Sequence, residues 1–108
     1  MVWELVLFIA ACTVVTVGCL VPNGWLPPLP NDKLMHFVGF GGIAALALPL
    51  ASSRREGAWI LIGVLLASAL IECLQNLLPD RRFCWRDIAA NACGIGFVAL
   101  CALLYGAL

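Results

Sequence analysis

Charge is what this sequence has least of. Six basic and six acidic residues make up 11% of the chain, whereas a soluble domain usually has about 25% charged residues. Hydrophobic residues account for 64% of the 108 positions. Too few polar side chains remain to cover a water-exposed surface, so the composition excludes a soluble globular domain and predicts an integral membrane protein.

Several familiar functional patterns are missing as well. The formal net charge is zero, which excludes the basic surface that nucleic-acid binding requires. The sequence has no serine elbow, no glycine-rich phosphate loop and no paired C-x-x-C motif, and its single histidine makes a poor metal site. We therefore predict no metal ion and no other cofactor.

The six cysteines would suggest a disulfide framework in a small secreted protein. Five of them lie inside apolar runs, and only Cys84 lies in a polar connection. We interpret the five as small buried hydrophobic residues.

Four apolar runs are long enough to cross the roughly 30 Å hydrocarbon core of a bilayer. Between them lie a proline-rich segment, a tight polar turn at residues 52–56 and a connection that begins at Pro79. The first run lacks the basic flank of a signal peptide, so we expect a retained anchor. The sequence predicts one membrane domain over residues 1–108, with spans at about 2–21, 32–51, 57–78 and 86–108.

Short connections make consecutive spans antiparallel, so we predict an all-α, up-down-up-down four-helix bundle. The larger aromatic residues divide between its two ends, as interfacial belts do. Trp3, Trp59 and Tyr105 map to one end, and Trp25 and Trp85 map to the other. Small residues in the second and fourth spans predict that these helices touch. They are Gly39, Gly41, Gly42, Gly94 and Gly96.

Seven polar side chains from three spans map to the Trp85 end of the bundle. They recur at spacings of three or four residues, so each span presents its own on one face. Ionisable residues inside a membrane span are costly and usually point into the bundle, which makes them a candidate functional site. The seven are Lys33, His36, Glu72, Gln75, Asn76, Asp87 and Asn91. We expect a polar cluster at one membrane face.

Each of these residues also has a purely structural explanation. A salt bridge to Lys33 or to an arginine would make Glu72 a helix-packing residue. Lys33 could also serve only to extend its own ammonium group to the membrane–water interface. The amides of Gln75 and Asn91 are typical of hydrogen bonds between membrane helices. His36 has the side chain best suited to proton transfer near neutral pH.

Three motifs follow one another along the chain: D-K-L-M-H-F from Asp32, E-C-L-Q from Glu72, and D-I-A-A-N-A-C-G from Asp87, with Arg81 six residues before it. Their order and spacing resemble the VanZ-like family. That family takes its name from a protein conferring low-level resistance to the glycopeptide teicoplanin. The resemblance therefore implies a protein of the bacterial cell envelope, in the inner (cytoplasmic) membrane, but it supplies no reaction.

Two functions of different classes fit these observations. In the first, the protein binds an anionic lipid-linked or cell-wall component, or a glycopeptide-related ligand, at the membrane surface. If the protein is an enzyme, it also acts on that ligand. Whether it is an enzyme stays open. The candidate ligand-binding residues are Lys33, Gln75, Arg81 and Asn91, and the candidate catalytic residues are His36, Glu72 and Asp87.

In the second function, the protein is a structural or partner-binding membrane module, and its polar cluster is a closed salt-bridge network. A proton-coupled transporter is a weaker hypothesis, because transport usually needs polar groups at mid-bilayer. The only partners predicted are membrane lipid and the lipid-linked or cell-wall ligand.

The membrane face that carries the cluster is left open. Basic residues are more numerous at the cluster end, which favours the cytoplasmic side by the positive-inside rule. They are Lys33, Arg81, Arg82 and Arg86, against Arg54 and Arg55 at the other end. Lys33 and Arg81 belong to the motifs, so their positions do not depend on orientation alone, and without them the two ends carry equal numbers of basic residues. The family resemblance favours the extracytoplasmic side.

Overall fold

The computed structural model describes residues 2–20, 32–77 and 85–106. It contains four α-helices and a short 3₁₀ helix, Leu48–Leu50, which follows the second of them. The α-helices are α1 (Val2–Leu20), α2 (Asp32–Ala47), α3 (Arg54–Gln75) and α4 (Trp85–Leu104). Each is long and apolar enough to cross a membrane, α2 when the 3₁₀ helix is included. The predicted all-α membrane bundle is confirmed.

The third helix begins three residues before the predicted position. Ser53 is its N-cap: its Oγ accepts a hydrogen bond from the backbone N–H of Glu56, at 3.1 Å. In turn, Glu56 Oε1 accepts from the backbone N–H of Ser52, also at 3.1 Å. The first bond satisfies one of the N–H groups that a helix start leaves without partners, and the second ties the residue before the N-cap to the same turn. Arg54 and Arg55, predicted to lie in a turn, therefore form the first turn of α3.

The second helix ends earlier than predicted, at Ala47 instead of residue 51. Pro49 has no backbone N–H to continue the α-helical ladder, and the chain tightens there into the 3₁₀ helix. The third helix ends at Gln75, three residues before the prediction. The fourth ends at Leu104, followed by Gly106 in a left-handed conformation at φ 70°, which glycine adopts readily.

Contacts between helix ends establish the topology. Lys33, near the start of α2, pairs with Asp87, near the start of α4. Gln75, at the end of α3, donates a hydrogen bond to the backbone carbonyl of Cys19, near the end of α1. The starts of α2 and α4 and the ends of α1 and α3 therefore share one end of the bundle, called here the cluster end. The up-down-up-down prediction is confirmed.

The helix pair α2 and α4 has the most extensive contact in the bundle. It depends on Gly94: a Cβ atom there would lie 2.2 Å from the backbone oxygen of Phe37 and 3.1 Å from the nitrogen of Gly41. The predicted contact is thus present, and Gly41 shares it, since a Cβ there would lie 3.3 Å from the backbone oxygen of Gly94. The other three glycines do not make it. A Cβ at Gly39 would meet Val15 of α1, and one at Gly42 or Gly96 would meet nothing within 4 Å.

The buried stripe on each of α2, α3 and α4 is apolar through the middle of the bundle and polar at the cluster end. Its apolar part forms a core of Phe40, Ile43, Ala44, Leu61, Val64 and Ile95. Trp3, Trp59 and Tyr105 are exposed at the far end, and Trp85 is exposed at the cluster end, as interfacial aromatic residues are. Trp25 lies outside the described residues.

Candidate functional site

Five polar side chains are buried together at the cluster end. They are His36, Glu72, Gln75, Asp87 and Asn91, and we call them, with Lys33 at their edge, the polar cluster. Glu72 and Asn91 are each only 1% exposed. Six of the seven polar residues that the sequence places at this end are therefore brought together, and they come from three helices.

Helical spacing explains how each helix contributes. On α2, His36 lies one turn before the core residue Phe40, and the two rings stack with centroids 6.5 Å apart. On α3, Glu72 follows the buried Ser68 at i+4, so it extends the same stripe. On α4, Asp87 and Asn91 stand one turn apart and continue towards Gly94. The stripes that form the core thus direct these polar groups inward.

His36 contacts two residues of α4. Its Nδ1 lies 2.9 Å from Asn91 Oδ1, and its Nε2 lies 3.5 Å from Asp87 Oδ2. Because an amide oxygen only accepts hydrogen bonds, Nδ1 carries the proton in that contact. The ring is therefore held in one orientation, with Nε2 directed towards the Asp87 carboxylate.

Lys33 and Asp87 form a salt bridge through Lys33 Nζ and Asp87 Oδ1. The lysine side chain is 44% exposed and the aspartate side chain only 11%. Lys33 is thus the exposed edge of the polar cluster, while the carboxylate that it neutralises is largely buried.

Gln75 makes a contact that the sequence did not predict. Its Nε2 lies 2.6 Å from the backbone oxygen of Cys19 and donates to it. The sequence carries no signal for this bond, because every residue of α1 has such a carbonyl. The first helix therefore contributes a polar backbone group to this end.

One predicted member is not part of the buried cluster. Asn76 is exposed at the C-cap position of α3, and its backbone N–H bonds to the carbonyls of Cys73 and Leu74. It follows Gln75 by one residue, and that rotation of about 100° turns it off the buried stripe. Arg81, the remaining candidate ligand-binding residue, lies outside the described residues, as do Arg82 and Cys84.

The candidate catalytic residues are close enough to exchange a proton through one bridging water or to share a cation. One nitrogen of His36 and one carboxylate oxygen from each of Glu72 and Asp87 all lie within 4.8 Å of one another. Buried carboxylates and imidazoles at such distances are typical of acid–base and ion-binding sites.

An apolar groove of about 380 Å³ lies between α1, α2 and α3. Near the cluster end it is lined by Phe40 and Ile71, which adjoin His36 and Glu72 along their helices. It extends along α3 as far as Ile60, about 16 Å at 1.5 Å per residue. Its lining also includes Phe8, Cys12, Thr16, Ile43, Gly63 and Ala67. The last two are exposed, so the groove opens sideways towards lipid.

No curated protein and no solved structure matches this chain. A protein-family model described as VanZ/LLP1 matches residues 6–106, which is nearly its whole length. The match includes all of the polar cluster, the helices α2, α3 and α4, and most of α1. The chain is a multi-pass membrane protein and belongs to the VanZ/LLP1 family.

Proposed function

We propose that this protein binds an anionic lipid-linked or cell-wall component at one face of the bacterial inner membrane. The headgroup binds at the polar cluster, and the hydrocarbon chain lies in the apolar groove. The observation that supports the proposal is the position of the groove, whose lining includes Phe40, one helical turn from His36, and Ile71, the residue before Glu72.

The groove suits a single hydrocarbon chain. Its volume, about 380 Å³, lies within the range of roughly 300–1,000 Å³ that is usual for ligand pockets. Its length of about 16 Å is around half of the hydrocarbon core. A ligand with a polar head and one long chain would therefore contact both features at once.

Lys33 supports an anionic headgroup. Its ammonium group is the exposed end of a buried network, and a lysine near the end of a membrane span is able to reach headgroup phosphates. Arg81, which the family pattern places in the same group of residues, would add a second cation. Should the bound component also react, His36, Glu72 and Asp87 are the groups positioned for proton transfer.

The test compares two probes with the same chain and different heads, a long-chain prenyl phosphate and the corresponding prenyl alcohol, by native mass spectrometry of the full chain in detergent. We expect the phosphate to bind at least about tenfold more tightly, which is 1.4 kcal/mol. Lys33→Gln should reduce that difference. Equal binding of the two probes would exclude an anionic headgroup site.

A matched pair of glycine variants tests the groove. Gly63→Leu fills it, and Gly96→Leu adds the same side chain to a site on α4 away from it; a Cβ meets nothing within 4 Å at either position. The first variant should weaken binding of both probes, and the second should leave it unchanged. If both variants bind like the wild type, the chain does not lie in the groove.

A second candidate function has its own supporting observation. Glu72, Gln75 and Asn91 are each at most 2% exposed, which suits a closed packing network in a structural or partner-binding module. In that case Glu72→Gln and Asp87→Asn would lower the stability of the bundle. The affinity for each probe lipid would be the same in the wild type and in the variants.

The family resemblance also implies a link to glycopeptide resistance, so teicoplanin tolerance of cells provides a second test of this proposal. In cells whose teicoplanin tolerance depends on this protein, Glu72→Gln and Asp87→Asn should each reduce tolerance, with the variant proteins present in the membrane at wild-type levels. Full tolerance in both variants would remove the polar cluster from that function.

A further inference from the structure

Two carboxylates and an imidazole face one another inside the polar cluster. His36, Glu72 and Asp87 come from three different helices, each is at most 8% exposed, and their donor atoms all lie within 4.8 Å of one another. Sequence alone predicts no metal site, because the only histidine lies 36 residues from the first of these carboxylates and 51 from the second. The fold brings these three side chains together in space.

The orientation of the imidazole determines what can lie between these groups. Nδ1 of His36 donates to Asn91 Oδ1 at 2.9 Å, so the lone pair of the neutral ring is on Nε2. That lone pair faces Asp87 Oδ2 at 3.5 Å. Three electron-pair donors thus converge in a buried place, an arrangement that a shared cation stabilises.

We propose that His36 Nε2 and the carboxylates of Glu72 and Asp87 bind one divalent first-row transition-metal ion. A donor set of one nitrogen and two carboxylate oxygens suits Zn²⁺ or Mn²⁺ better than Ca²⁺ or Mg²⁺, which favour oxygen ligands alone. Two ligands at about 2.1 Å from a tetrahedral ion are about 3.4 Å apart, close to the 3.5 Å between His36 Nε2 and Asp87 Oδ2.

His36 and Asp87 both have outer contacts of the kind that metal ligands use. Asn91 holds the proton-bearing nitrogen of His36, and Lys33 holds the second oxygen of Asp87. Such partners orient a ligand and set its charge, and their loss typically lowers metal affinity by about 10- to 100-fold.

The two carboxylates supply a further reason. They lie close together in a buried place, and a shared cation would reduce the repulsion between them. Three protein ligands also leave a coordination position for water or for an anion. The metal site does not depend on the proposed lipid ligand, although it would give an anionic headgroup a direct partner.

The experiment uses the full chain in a neutral maltoside detergent without added lipid, so its result is independent of the lipid-binding test. After treatment with a chelator, the protein is dialysed against ZnCl₂, and bound metal is measured by mass spectrometry. We expect one equivalent of Zn²⁺ in the wild type, loss of it in Glu72→Gln and Asp87→Asn, and an affinity about 10- to 100-fold lower in Asn91→Leu.

Controls separate this site from the thiols. Cys73→Ala removes an exposed thiol beside Glu72 and should keep the full equivalent. A second control uses the wild type alone. Its Co²⁺ form should show no thiolate charge-transfer band in the visible and near-ultraviolet absorption spectrum. The proposal is overturned if the wild type binds no more Zn²⁺ than folded Glu72→Gln, if Cys73→Ala abolishes binding, or if the thiolate band is present.

Discussion

Gln75, at the end of α3, donates a hydrogen bond of 2.6 Å to the backbone carbonyl of Cys19, near the end of α1. That carbonyl is one of the last four of α1, which have no partner within their own helix. None of the nineteen residues of α1, all of which the structure describes, is buried. Within the described residues, the bond adds a polar contact to a helix whose core-facing side chains are partly buried and apolar.

Gln75→Leu should loosen α1 and destabilise the bundle by about 1 kcal/mol, the usual value of a hydrogen bond between membrane helices. Reversible unfolding in mixed detergent micelles measures the change. The exposed Leu77→Ala, two residues further along, serves as the control and should change stability little. An unchanged free energy of unfolding in Gln75→Leu would show that the bond does not hold α1.

Gly94→Ala should be the most damaging single-methyl change in the bundle. Its Cβ would lie 2.2 Å from the backbone oxygen of Phe37, so α2 and α4 must move apart, and we expect a loss of about 1–3 kcal/mol. Gly96→Ala adds the same methyl group to the same helix in open space and should be neutral or stabilising. Equal stability of the two variants would contradict the close crossing.

Lys33 and Asp87 should be energetically coupled. Because nearly half of the lysine side chain is exposed, screening by water should limit the coupling to about 1 kcal/mol, below the value for a fully buried pair. A double-mutant cycle with Lys33→Met and Asp87→Asn measures it. Arg86→Gln, at the exposed neighbour of Asp87, should show no coupling to Asp87→Asn.

Ser53→Ala tests the opposite end of the bundle. Removal of the N-cap hydroxyl of α3 should destabilise the protein by about 1 kcal/mol. Ser52→Ala is a close control, since that residue contributes only its backbone N–H to the capping contacts. Because the cap lies far from the polar cluster, binding of Zn²⁺ to Ser53→Ala should match the wild type.

Much of the fold follows from the sequence because the bilayer imposes simple conditions. Apolar length predicts four spans, and proline-rich or polar connections separate them. Helix ends are less predictable: Ser53 shifts the start of α3 through a side-chain bond, and Pro49 ends α2 early. These differences arise from local hydrogen bonds, which the hydrophobic pattern does not record.

The sequence by itself determined that the chain is a membrane bundle and which polar residues share one end of it, because four short-linked spans must alternate in direction. Only the tertiary structure decided how those residues pair. Its crossing of α2 and α4 at Gly94 sets the rotation and depth of both helices, which brings His36 against Asp87 and Asn91. The rotation of a helix about its axis depends on packing against its neighbours, so it cannot be predicted from a motif along the chain.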